Sequence, residues 1–263
     1  MQASIQLNKT PDVQYLLRIA DTCLILGQRL GEWCGHAPVL EEDIAMANIA
    51  LDLLGQARAV LTLAGQLEGL EREEGLDHEE DELAFLRNER DYLNLTMVEL
   101  PRGDFAFSVL RNTMIATWLK LLWERLAASS NSELSAIAGK AVKEARYHQQ
   151  HSGDWVIRLG DGTPESTRRM QGALADLWRY MPEMFDTDAI DQAAHAAGLG
   201  PLWSDLQPIW QREMTAILGE AGQQLPADSA FRSHGKRGQH SEHMGFILTD
   251  MQYLQRAFPG GVW

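Results

Sequence analysis

The chain has little cysteine. Only Cys23 and Cys34 occur among its 263 residues, so no disulfide framework and no C-x-x-C motif is available. Also missing are the G-x-S-x-G nucleophile elbow, the phosphate-binding P-loop and the dinucleotide G-x-G-x-x-G. Basic residues are scarce: 23 Lys and Arg stand against 37 Asp and Glu, a formal charge of −14. That balance argues against nucleic acid and anionic membranes as partners. No apolar run approaches ~18 residues, and MQASIQLNKTPDVQ has no signal-peptide character, so a soluble, cytoplasmic protein is expected. Strand-like alternation and fixed-period repeats are absent too. One further absence matters most: no Asp or Glu has a His three residues later.

What the chain does have is long helical periodicity. Apolar residues recur at helical spacing from Asp12 to about Trp33, and GEWCGHAP breaks the pattern with two glycines and a proline. The cysteines fall at helical positions that read as buried or nearly so. A second helix is expected from Val39 to about Leu67, apolar on nearly every face and therefore central, with Asn48, Asp52 and Gln56 as a polar stripe at i, i+4, i+8. Such a stripe is either paired in the core or lines a site. Residues 68–82 carry nine acidic side chains in fifteen positions and read as a solvated loop. Short helical pieces over 83–100 and the turn PRGD lead to a third long helix, about 104–128. A fourth covers 130–160, with Ser130 and Glu133 as a capping box and Gly160 as a left-handed stop. Thr163 and Pro164 start a helix expected to run through Phe185. Segments near 188–197 and 201–222 follow, and then a last helix over Gln239–Phe258. Two long helices before residue 70 and two between 104 and 160 imply an all-α chain, one domain over 1–263. Its expected form is two helix pairs joined by a crossover, a ferritin-like four-helix core with additional C-terminal helices.

Two polar constellations carry candidate chemistry. Lys140, Glu144, His148, His151 and Trp155 share one stripe of the fourth helix, which suggests a metal site in a bundle. A di-iron carboxylate site takes a Glu from each of two helices and Glu-x-x-His from each of the other two. Here every acid–histidine pair, at Glu32, Glu74, Glu144 and Asp191, has its histidine one place late. That spacing favours a hydrogen-bonded network over a metal centre. The second constellation is FRSHGKRGQHSEHMG, residues 231–245. Lys236 and Arg237 between glycines suit a partner's acidic surface or an anion, and His240 and His243 at i, i+3 suit zinc less well for want of a third ligand. Most of the eight tryptophans read as core, and Trp263 reads as a tail that dangles or docks.

The stretches QRLGEWCGHAP, ANIALDLLGQAR, KEARYH and GKRGQHSEHMG, followed by MQYLQR, resemble the non-catalytic subunit of bacterial ring-1,2-phenylacetyl-CoA epoxidase. The resemblance runs from about Tyr15 to Trp263, leaving the first residues and the acidic insert outside. It implies a ferritin-like fold and a structural role in a multicomponent di-iron monooxygenase of phenylacetate degradation. The implied partners are a catalytic di-iron subunit, a small accessory subunit and a reductase using flavin, iron–sulfur and NADPH, with no cofactor on this chain and no catalytic residue. Asn48, Asp52, Glu144 and His148 would then occupy a vestigial metal region as a structural polar core. The alternative is that the chain is itself a di-iron oxygenase or ferroxidase with an atypical ligand set.

Overall fold

The N-terminal helix α1, Pro11–Gly31, starts where Thr10 caps the Val13 amide and Pro11 occupies the first turn. It is buried on nearly every side from Tyr15 to Gly27. The structure is a computed structural model and describes residues 3–70, 78–227 and 229–261. After the 32–39 turn, α2 (Leu40–Leu70) runs back antiparallel to α1, with Gly27 against Ala50 and Leu54 and Cys23 beside Gln56. The crossover contains α3 (Glu80–Phe85), a 3-10 turn at Glu89–Asp91 and α4 (Thr96–Glu99). It delivers the chain to α5 (Phe105–Leu126), capped by Asp104 and almost wholly buried. A short turn leads into α6 (Ser132–Gly160), and Asn112–Ser152 and Glu124–Arg146 contacts show that it returns antiparallel to α5. Trp33 donates to Ser108 across the α1–α5 seam. Asp52–His148 and Gln56–Glu144 bridge α2 and α6, which are also antiparallel. This is the expected all-α, ferritin-like four-helix bundle, with no strand among the described residues.

The C-terminal third adds α7 (Pro164–Trp178), α8 (Met181–Phe185), α9 (Ala189–Ala196), α10 (Gln207–Glu220) and α11 (His243–Ala257). These elements pack on α1, on the crossover and on the α5–α6 hairpin, and none of them packs extensively on α2. Trp118, Trp203 and Trp210 are fully buried where they meet, and Trp118 and Trp203 sit edge to face at 4.8 Å. Indoles packed edge to face in this way each bury ~150–250 Å² and fix orientation through their quadrupoles.

Several expectations need correcting. Asn131, not Ser130, caps α6, accepting from the Glu133 and Leu134 amides, and no capping box forms. Gly160 keeps a negative φ; its missing side chain matters because a Cβ there would lie 2.4 Å from the Ala221 carbonyl oxygen. The helix begun at Pro164 ends at Trp178, with α8 separate, and the last helix starts at His243 rather than Gln239. Cys34 is exposed in the turn after α1, whereas Cys23 is buried. The helix α2 is not central: Leu40, Ile44 and Leu51 face outward, and α1 and α5 form the middle of the molecule. By length and composition α2 is also apolar enough to cross a membrane, with mean hydropathy 1.3 over its most apolar 18 residues, of which 44% are buried in the fold. Of the expected solvated loop over 68–82, residues 71–77 lie outside the described residues, as does Trp263, but its two ends are helical, in α2 and α3, and Glu68 is buried, accepting from the Asn8 amide and paired with His78.

Candidate functional site

On α2 the polar stripe turns progressively inward: Asn48 is exposed, Asp52 half-buried and Gln56 buried. Gln56 is the hub of a layer that takes one side chain from each long helix. Its Oε1 accepts from the Trp123 indole of α5 at 3.2 Å and faces the Cys23 sulfur of α1 at 3.8 Å. Its Nε2 donates to Glu144 Oε2 of α6 at 3.0 Å. The amide has one possible orientation here, because an indole N–H is donor-only and an ionised carboxylate is acceptor-only. Burial pushes the Cys23 thiol well above its ordinary pKa, with Asp21 and Glu144 adding to the effect, so it acts as a small, neutral packing group.

One turn further along α6, His148 is buried and its Nε2 lies 3.0 Å from Asp52 Oδ2. Burial holds its pKa below the usual histidine value, against the pull of Asp52 and Glu144. The neutral ring therefore donates Nε2–H to Asp52. His151 reaches Glu42 at 3.0 Å, and Ser152 links the Asn112 amide to the His148 carbonyl. Every inward polar group on this face of α6 thus has a partner from α2 or α5.

The donor set does not fit a pair of irons. The four helices offer a thiol, a carboxamide, an indole N–H and one carboxylate at the level where bundle sites place carboxylates and imidazoles. An indole N–H has no lone pair to give, and a neutral amide is a poor bridging ligand. Glu144 and His148 share a stripe but do not converge, since each is tied to a different α2 residue. Among the described residues no three His, Cys, Asp or Glu side chains group at metal-binding distance. Of the four residues expected in this region, the structure brings Asp52, Glu144 and His148 into the network and leaves Asn48 outside it. Sequence reasoning missed Trp123 and Cys23 as members. Gln56 was visible as the third residue of the α2 stripe, but its partners on other helices leave no mark in the local sequence.

The second constellation is structural. Lys236 is 1% exposed, contacts the Asp186 carbonyl and Asp191, and lies over the Trp203 ring at 4.9 Å. Arg18 completes this knot with bonds to Asp188 and Asp191. Lys236 is therefore not free to meet an external anion or partner, which corrects the surface-contact expectation. Arg237 is partly exposed but bound to Asp186 and Asp188. His240 is enclosed between Glu99 Oε1 at 3.1 Å and the Tyr92 carbonyl at 2.9 Å. Two acceptors on two ring nitrogens require an imidazolium. Burial opposes that charge, but Glu99 and Tyr92 outweigh it and raise the pKa above the ordinary histidine value. His243 is partly exposed, 4.0 Å from Glu242, while His240 is held by Glu99 and Tyr92, so among the described residues the two histidines do not form a zinc pair.

The fold is a ferritin-like helical bundle whose central polar layer is closed by an amide–indole–carboxylate network. The chain belongs to the phenylacetic acid catabolic protein family (PaaA_PaaC), whose sequence profile matches residues 1–263, so the family likeness includes the N-terminal residues and the acidic insert. It is 49% identical over 249 residues to the C subunit of the 1,2-phenylacetyl-CoA epoxidase of Escherichia coli (strain K12), covering 95% of this chain and 98% of that protein.

Proposed function

We propose that the chain is the structural subunit of a multicomponent di-iron monooxygenase that epoxidises the aromatic ring of phenylacetyl-CoA, and that it stabilises and positions the catalytic subunit. The observation that carries this reading is the Gln56 hub, where one residue from each helix closes the region in which a working relative would hold metal. Its likeness to a named epoxidase subunit supports the pathway and the existence of other subunits. In this reading the catalytic partner owns the iron pair, and a small accessory subunit and a flavin and iron–sulfur reductase fed by NADPH complete the system. All of it works in the cytoplasm.

Reconstitution tests the assignment. Phenylacetyl-CoA turnover by the catalytic subunit, accessory subunit and reductase should collapse without this chain and return when it is added. The Asp52→Asn, Glu144→Gln and His148→Gln variants, wherever they fold, should restore it as the unmodified chain does. Loss of turnover with folded, assembled variants would instead favour an atypical di-iron site on this chain.

A further inference from the structure

Arg111 of α5 is 0% exposed, yet among the described residues no carboxylate is bonded to it. Its Nη1 donates to the Leu100 carbonyl at 2.6 Å and to the Pro101 carbonyl at 3.2 Å, and its guanidinium carbon lies 5.6 Å from the Phe107 ring centre. Nε and Nη2 are equally buried and have no hydrogen-bond partner. The other deeply buried cations are answered in full: Arg18 by Asp188 and Asp191, Arg87 by Asp21, Lys236 by Asp191. The carboxylates around Arg111 are all committed elsewhere. Glu32 is paired with Arg29, Asp104 caps the Phe107 amide, and Glu99 holds Ser241 and His240. Burial, reinforced by the charge of Arg29 and only partly offset by Glu32, pushes the Arg111 pKa down to about 9.

We infer that the Nε–Nη2 edge of Arg111 is a binding site for a small monovalent anion, a halide or a one-carbon carboxylate. The shape of the edge supports this. Nε–H and Nη2–H point the same way from one rigid plane, the fork that grips both oxygens of a carboxylate or a single halide between them. Charge supports it as well. A buried guanidinium is costly without a counter-ion, and one monovalent anion supplies the charge that Leu100 and Pro101, as neutral carbonyls, do not. Water would satisfy the two donors but leave the charge unanswered. Full burial sets the size: sulfate and phosphate esters are too large and carry a second charge. The way in is short, because the carbonyls holding Nη1 belong to the turn before α5, whose Pro101 and Gly103 are exposed. A bound anion would tie that turn, and with it the crossover, to α5. No partner subunit enters the site, which is therefore independent of the function proposed above.

The test melts the full chain in sodium gluconate, an anion too large for the site, and replaces it stepwise with formate or with bromide at constant ionic strength. The midpoint should rise saturably, by about 3–5 °C at roughly ten times the dissociation constant. Arg111→Met should lose the rise, and Arg146→Gln, at an exposed ion pair on α6, should keep it. Crystals grown in bromide give a readout that does not require the variant to fold. Their anomalous peak should lie within hydrogen-bonding distance of both Nε and Nη2 of Arg111. A midpoint indifferent to both anions overturns the site, and so does a rise that Arg111→Met retains. If Arg111→Met does not fold, the bromide crystals decide: a peak at the edge supports the site, and water or nothing there overturns it.

Discussion

Gln56 is the residue on which the central layer turns, and its replacement by leucine has a definite cost. Leu cannot accept from the Trp123 indole or donate to Glu144, so two buried groups lose their partner. Each such loss costs ~1–3 kcal/mol, and urea unfolding of Gln56→Leu should show destabilisation within or above that range, against almost none for Asn48→Ala on the exposed end of the stripe. The histidines give a pH signature with opposite signs. His240 has a raised folded pKa, so its contribution is full below its unfolded pKa of about 6.5 and fades as pH climbs through the raised value. For His148 the folded pKa is depressed, so its contribution is present above about 6.5 and is lost as pH falls toward the lowered value. The urea midpoint should therefore fall on both sides of neutrality, and His240→Gln should flatten the alkaline side alone. An unchanged alkaline slope would contradict the imidazolium assignment. The i, i+4, i+8 stripe on α2 was legible in the sequence because one helix sets that spacing. The pairing of Gln56 with Trp123 was not, because 67 residues and a crossover separate them.

Among the elements, the four bundle helices were legible from periodicity to within a few residues at each end, and Thr163 with Pro164 marked the start of α7 but not its end. Glycine roles were not legible, since a helix-ending glycine and a close-approach glycine look alike in sequence. Gly160 belongs to the second kind, where α6 meets Ala221 after α10. Its replacement by alanine should cost about 1–3 kcal/mol through overpacking. Gly139, exposed on the same helix with open space at its Cβ position, should gain about 0.5–1 kcal/mol on the same change. Thermal melts of the pair check the assignment, and equal effects would contradict it. The segment at 234–242 shows a similar limit of local reading. Two cations between glycines resembled an anion cradle, yet the lysine is turned inward onto Asp191, beneath α1 and α9. Lys236→Met should lose about 3–5 kcal/mol by leaving Asp191 short of a partner. Stability near that of the unmodified chain would show that Arg18 alone suffices.

For the whole molecule, the two hairpins and their crossover followed from counting long helices. What composition did not disclose is which helices are central. The apolar excess of α2 read as core, while half of it faces outward. The central claim is that the bundle's polar centre holds itself together and leaves iron chemistry to a partner. Iron content, measured on the chain purified alone from iron-replete cells and on its co-purified complex, tests that most directly. Almost no iron is expected on the isolated chain, and a pair of irons per heterodimer in the complex. A pair of irons on the isolated chain, lost on Glu144→Gln, would contradict the claim and make this protein an oxidase or oxygenase in its own right.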